Sequence, residues 1–385
     1  GLGLLALIVG LVVFGPGRKQ SAPSEAALEL WGVGDDDSAW RDLLAEFKEQ
    51  FPHLSVAYRR LDEATYEETL VNRLAAGRGP DIFFLKNSWV TKHGDKIAPL
   101  PEGFPFDSRD FASTFVEEPT KNLVSAEGQI RGLPLFIDTL LLFYNRDHFN
   151  AAGIAEPPKT WDEVAVLSRG LTRRDQAGDL TRSGLALGGS KNVEHSFEIL
   201  NALMLQWGEN FVDERGGIIL GNNASEALKF YVSFSSPTDA NFSWNENMPN
   251  SLDSLAEGKT SMALGFTADV TRLRNKNPHL NLGMAALPQR NVNQTPVNFP
   301  NYYFLAASRL SPHTVAAWQF MLFATSRDIS KAYLENSGRA PARRDLISSG
   351  TSKAELTIPY RQALSAKSWP IPDEPAGRRV FAEAV

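Results

Sequence analysis

Apolar positions along this chain keep two different spacings, and the spacing separates strand from helix. Ala27–Trp31, Leu54–Arg59 and Pro80–Leu85 are short runs that read as strands. Between the first two, Trp40, Leu43, Leu44 and Phe47 recur three and four apart. That spacing predicts a helix running to Gln50, capped by Asp37 or Ser38 and ended by Pro52. Ala64–Ala76 predicts a second helix, closed by Gly77 and Gly79. Strand, helix, strand, helix, strand in this order argues for a parallel sheet with right-handed crossovers. Ligands of such sheets sit beyond the carboxyl ends of the strands. Here those ends are Gly34–Asp37 and Lys86–Trp89.

The stretch that organises the rest is Gly132–Asp147, GLPLFIDTLLLFYNRD. From Leu135 to Tyr144 only Asp138 and Thr139 are polar, which predicts one strand buried on both faces. An ionised Asp138 inside it costs on the order of several kcal/mol unless paired. The residue is therefore expected where the strand meets a cleft. The alternatives are that it caps a neighbouring helix or pairs with an internal arginine. Downstream, helical spacing appears over 111–123, Trp161–Leu171 (with Thr160 as cap), Phe197–Trp207, Glu226–Phe234 and Thr314–Ala324. Strands are expected at Leu185–Leu187, Ser261–Phe266 and Leu280–Leu287. Trp31, Trp161, Trp207 and Trp318 are assigned to packing.

The order Gly132-x-Pro134, Asp138, Leu142-x-Tyr144-Asn145-x-Asp147, Ala151-Ala152-Gly153-Ile154, Pro157-Pro158, Thr160-Trp161-Asp162-Glu163 resembles the bacterial extracellular solute-binding proteins, in the carbohydrate-binding branch related to maltose-binding protein. LWGVGDDD, FPHLSVAY and LAAGRGPDIFF continue the resemblance upstream. EGKTSMALGFTADV and NSGRAPARRD continue it downstream. It implies an α/β, two-lobed periplasmic-binding-protein-like fold of type II, each lobe a mainly parallel sheet flanked by helices and joined by a hinge. The implied lobes are 25–137 with 301–338, and 138–300 with 339–385, with Val297–Ala307 as a second hinge crossing. By the same resemblance Asp138 faces the ligand from the hinge and Phe266 is the delivered aromatic. The tryptophan often found near that point is absent, so the stacked sugar face stays open. Trp369 corresponds to a late aromatic.

Residues 1–15 are uniformly apolar and precede a linker rich in Gly, Pro, Ser and charge. The run is shorter than the ~20 residues that span a bilayer. Segment 1–24 reads as an N-terminal anchor or a signal segment plus linker, with the anchor preferred. The chain opens on Gly, and Phe381–Val385 reads as part of an amphipathic helix, so further sequence at either end is expected. With 385 residues, two large domains are expected. The net charge of −6 and the lack of basic runs argue against nucleic acid. No cysteine is present, which excludes disulfides, thiolate metal sites and a lipidated N-terminal cysteine.

Enzyme chemistry is the rival reading. His53, His93, His148, His195, His279 and His313 are scattered without metal-ligand spacing. No nucleophile elbow or phosphate loop occurs, and Gly32-Val33-Gly34 leads into acids that would repel a pyrophosphate. Two facing carboxylates, 5–10 Å apart as a rough guide, would be needed for a glycosidase, and nothing singles out a pair among 45 acids. A solute site needs less: polar groups and aromatic platforms suited to sugar hydroxyls and CH faces. The candidates are Asp35, Asp36, Asn87, Trp89, Asp138, Asn192, His195, Phe266, Tyr302 and Trp369. For each aromatic, core packing competes with this role.

The sequence reading is thus an extracytoplasmic carbohydrate-binding protein, with an oligosaccharide as the favoured solute, without catalysis, cofactor or metal. It closes by a hinge on its solute and delivers it to an ABC-type importer permease. A monomer is expected, tethered through the N-terminal segment. Another solute (polyamine, peptide or organic phosphate) and a sensor role are the alternatives, with a carbohydrate-active hydrolase behind them.

Overall fold

The structure is a computed structural model that describes residues 25–213 and 217–385. The expected anchor, 1–24, lies outside the described residues. Among the described residues no helix is long and apolar enough to cross a membrane. In chain order the strands are β1 (Ala26–Gly32), β2 (Leu54–Arg60), β3 (Ile82–Lys86), β4 (Ile97–Ala98), β5 (Leu133–Pro134), β6 (Asp138–Thr139), β7 (Leu141–Asn145), β8 (Arg173–Arg174), β9 (Leu180–Leu185), β10 (Thr260–Gly265), β11 (Leu282–Ala286), β12 (Pro300–Asn301) and β13 (Tyr303–Ser308).

The chain divides into two compact units. The first runs to Ile137 and takes in Tyr302–Gly350; the second holds Asp138–Asn301 and Thr351–Val385. In the first, the sheet order is β2-β1-β3-β13-β4, with β5 also on β13. β1 is parallel to β2 and β3, as the alternation predicts, while β13 runs antiparallel to β3 and β4. The helix Asp37–Gln50 buries Trp40, Leu43 and Phe47, the predicted stripe, with Asp36 rather than Asp37 or Ser38 at its N-cap. The expected helix over 111–123 is two helices, Ser108–Thr114 and Glu117–Leu123, parted at Phe115 and Val116. Asp107 closes a capping box on the first of them, one turn earlier than the apolar spacing shows.

The second unit has sheet order β11-β7-β10-β9-β8 and a short β12-β6 pair. Here the expectation of a mainly parallel sheet is corrected. β9 and β10 are parallel, but β7 is antiparallel to both β10 and β11, and β8 to β9. β7 starts just after the chain enters the unit at Asp138, so it runs away from the edge that β9, β10 and β11 run towards. Thr160 caps Trp161–Leu171 through a full capping box with Glu163, as expected. Gly184 lets this helix lie on β9: a Cβ there would collide with the Ser168 carbonyl. Trp161, Trp244 and Trp318 are fully buried in their units, and Trp31 nearly so; Trp207 is partly buried against the core.

Two further expectations are corrected. The Gly132–Asp147 stretch is not one strand but β5, β6 and β7. Its hydrogen-bond partners change within it: Ile137 N–H donates to the Ala340 carbonyl and Leu140 N–H to that of Phe299. Residues 339–350, expected with the second lobe, belong to the first unit. Phe115 pairs there with Arg343 and Phe136 with Pro341, so this segment is fastened to the first unit at two points.

Candidate functional site

In the first unit the candidates gather where the topology predicts, at the carboxyl ends of β1 and β3 and the start of β13. Asp35 follows β1 and is buried. One carboxylate oxygen pairs with Arg339 at 2.7 Å, and the other accepts from the Tyr333 hydroxyl. The Arg339 guanidinium also lies 4.1 Å over the Phe136 ring. Tyr58 donates to the Asp35 carbonyl at 3.0 Å. Burial first, then the Asp35 charge, pushes the Tyr58 phenol well above its usual range. Asp35 is therefore a buried anchor for 333–339. Asp36 is exposed and pairs with Arg60 across an open hollow of about 630 Å³, also lined by Asp37, Ser38, Tyr58 and Arg59.

Asn87 and Tyr302 lock β3 to β13. Asn87 N–H donates to the Tyr302 carbonyl at 3.0 Å, and Tyr302 N–H to Asn87 Oδ1 at 3.2 Å. The Asn122 amide donates to the Asn87 carbonyl at 3.0 Å. Tyr302 is fully buried and Trp89 nearly so. Trp89 packs among Tyr66, His93 and Tyr303 with ring centroids 6.1–6.4 Å apart.

The second unit brings Asp138, His195 and Phe266 together. Register places them at one edge: Gly265 of β10 and Ala286 of β11 both lie opposite Leu141 of β7. Asp138 Oδ1 accepts from Thr267 Oγ1 at 2.8 Å and Thr267 N–H at 3.2 Å, and Oδ2 accepts from Ala268 N–H at 3.1 Å. These are the donors at the start of the helix Asp269–Lys276. Asp138 thus caps a neighbouring helix, one of the alternatives its burial raised, and the helix dipole favours a negative charge there. Burial pushes its carboxyl above the usual range; the three hydrogen bonds pull it back only partly, and the Asp269 charge adds to the rise.

Phe266 is buried. Its N–H donates to Asp269 Oδ2 at 2.8 Å, and the same oxygen takes His195 Nε2 at 2.8 Å. The His195 ring stands edge-on to Phe266, centroids 4.8 Å apart. Asn192 is anchored elsewhere in the unit. Its amide donates to the carbonyls of Asn245 and Met248, both at 2.9 Å, and its oxygen accepts from Trp244 Nε1 at 2.9 Å. Trp369 is held against the helix Ser196–Gln206, donating to Asn201 at 2.6 Å and stacking on Phe211 with centroids 4.4 Å apart. Residues that sequence reasoning missed are Tyr58, Arg60, Tyr333 and Arg339 in the first unit, and Thr267 and Asp269 in the second. Only Asp269 carried a local signal: it lies three residues after Phe266, the spacing of a capping-box acid. Among the described residues no three or more of His, Asp and Glu gather as a metal ion would need.

The profile of the bacterial extracellular solute-binding protein family matches residues 31–330. The chain belongs to that family. Its relatives include the mannitol-binding protein of Pseudomonas aeruginosa, 24% identical over 87% of this chain and 77% of the relative. Another is the diacetylchitobiose binding protein DasA of Streptomyces coelicolor, 23% identical over 95% of this chain and 82% of the relative. Among solved structures, an ABC transporter solute-binding protein from Thermotoga lettingae, bound with α-D-tagatose, superposes with a TM-score of 0.71. It covers 94% of this chain and 93% of its own, at 22% identity. The fold is therefore the two-unit α/β fold of solute-binding proteins. The chain is a solute-binding protein of the extracytoplasmic kind.

Proposed function

We propose that this solute-binding protein captures a carbohydrate and passes it, as a monomer, to the membrane permease of an ABC-type importer. The observation that carries the reading is the agreement among related chains. Mannitol, diacetylchitobiose and tagatose are all polyhydroxylated, and the proteins named for them or holding them align with most of this chain. The edge chemistry suits such a solute: aromatic rings for CH faces, and charged or amide groups for hydroxyls. Asp36 and Trp89 of the first unit, and His195, Phe266 and Trp369 of the second, are proposed to line the site. Asp35, Asn87, Asp138, Asn192 and Tyr302 are proposed as the frame that holds those loops. A solute gripped by both units selects the arrangement in which both grip it, which is the hinge closure the family resemblance implies. The reading assigns no catalysis. A tether through 1–24 is part of it.

The test is a thermal-shift screen of the full chain against sugar alcohols, mono- and oligosaccharides, polyamines and short peptides, repeated with Phe266→Ala. A ligand at 100-fold over its Kd adds about 2.7 kcal/mol to the native state. A shift with one carbohydrate class, reduced in the variant, is the expected result. A shift with a polyamine or peptide alone would replace the solute class, and a shift with none would remove the carbohydrate reading.

A further inference from the structure

Among the described residues, His195 is the one residue other than glycine with a positive φ, at 57°. A left-handed backbone costs an L-residue about 1–2 kcal/mol, and such strain concentrates where function requires a particular side chain. The imidazole supplies the reason. His195 precedes the helix Ser196–Gln206, makes no side-chain cap to it, and instead turns to Asp269 and Phe266. Asp269 Oδ2 is shared between His195 Nε2 and the Phe266 N–H, each at 2.8 Å. Phe266 is therefore held twice, its backbone through Asp269 and its ring by a perpendicular contact with the His195 ring. The next two N–H groups of the turn are held by Asp138. Gly265 completes the fit: a Cβ there would meet the Phe143 ring at 2.6 Å and Asp269 Oδ2 at 3.0 Å.

We infer that His195 and Asp269 are positioning residues for solute binding: together they orient Phe266 and the turn 266–268. The inference rests on the reading that this turn is part of the carbohydrate site. Charge makes the hold pH-dependent. Burial lowers the proton affinity of the imidazole, but the Asp269 hydrogen bond and charge outweigh it, with Glu198 and Glu194 adding to them, so His195 stays charged above its ordinary range. Arg272 meets Glu194 and Asp253 nearby, Arg378 meets Glu198 and Glu374, and Asp138 stands beside Asp269. A charge-assisted hydrogen bond is roughly twice as strong as a neutral one. The hold on the turn is therefore full below the ordinary imidazole pKa and weakens as pH rises through the raised one.

The experiment uses the full chain and His195→Asn, Asp269→Ala and Phe266→Ala. Asparagine accepts the left-handed backbone, so His195→Asn removes the imidazole while keeping the loop. Two readouts are taken from pH 5.5 to 9: hydrogen exchange of the 266–268 amides against those of β10, and calorimetric Kd for mannitol, tagatose and diacetylchitobiose. The expected result in the native chain is a loss of turn protection and of affinity as His195 deprotonates. In His195→Asn and Asp269→Ala, affinity drops about tenfold and the pH step disappears, with β10 still protected. Native protection, affinity and pH profile in both variants, while Phe266→Ala weakens binding, would overturn the inference alone. Native affinity in Phe266→Ala, or no binding of any of the three by the native chain, would overturn the site reading and the inference with it.

Discussion

Asp35 is buried between Tyr333 and Arg339, while Asp36 beside it holds Arg60 at the surface. Removing one partner of a buried pair leaves the other uncompensated, at a cost of about 3–5 kcal/mol, whereas exposed pairs are worth about 0–1 kcal/mol. Asp35→Ala is expected to lower the unfolding free energy of its unit by about 3 kcal/mol. Asp36→Ala is expected to change it by less than about 1 kcal/mol. Urea titration of both variants compares them, and equal effects would contradict the assigned burial. Asp138 makes a second test at this scale. Its raised folded pKa means that, from the ordinary carboxylate range upward, the native chain keeps a proton the unfolded chain has lost. Stability therefore falls as pH rises from that range to the raised value. Asp138→Asn does not titrate, so its stability curve, read by urea titration between pH 3 and 7, is expected to lack that decline.

Elements carry the reading differently. Thr160 and Glu163 make a cap from residues three apart, and the sequence shows it directly because the chemistry is local. Thr160→Ala is expected to cost about 1 kcal/mol. Gly184 acts across elements: alanine there meets the Ser168 carbonyl of the packed helix. Gly184→Ala is expected to cost about 1–3 kcal/mol, more than Thr160→Ala, in thermal unfolding of the two variants. The same contrast explains what was legible. The β-α-β-α-β opening, the Trp40 stripe and the edge after β1 follow from local spacing. The break of Gly132–Asp147 into three strands does not, because Ile137 and Leu140 take partners more than a hundred residues downstream. Arg339 and Tyr333 were invisible as site residues for the same reason: they reach Asp35 from about three hundred residues away. The family resemblance points to Phe266 as the delivered aromatic. It did not show that Asp138 caps the helix after it, since that depends on which donors the fold leaves open.

At the scale of the whole molecule, the chain passes between units at 137/138, 301/302 and 350/351. Each unit has its own sheet, and the second has its own large core cluster. Ligand binding stabilises only what the ligand contacts in the native state, by an amount set by its concentration relative to Kd. Solute contact with both units therefore has a calorimetric signature. If the units melt separately without solute, a carbohydrate touching both is expected to raise both transitions or merge them into one. A carbohydrate held by the second unit alone would raise only the transition that Asp138→Asn and Gly184→Ala also move. Asp35→Ala marks the other transition, because all of its side-chain partners lie in the first unit. Differential scanning calorimetry of these variants with and without sugar assigns each transition to a unit. It also separates capture by both units, the proposed mechanism, from binding at one edge. A solute that raised one transition and left the other in place would rule out closure as the means of capture.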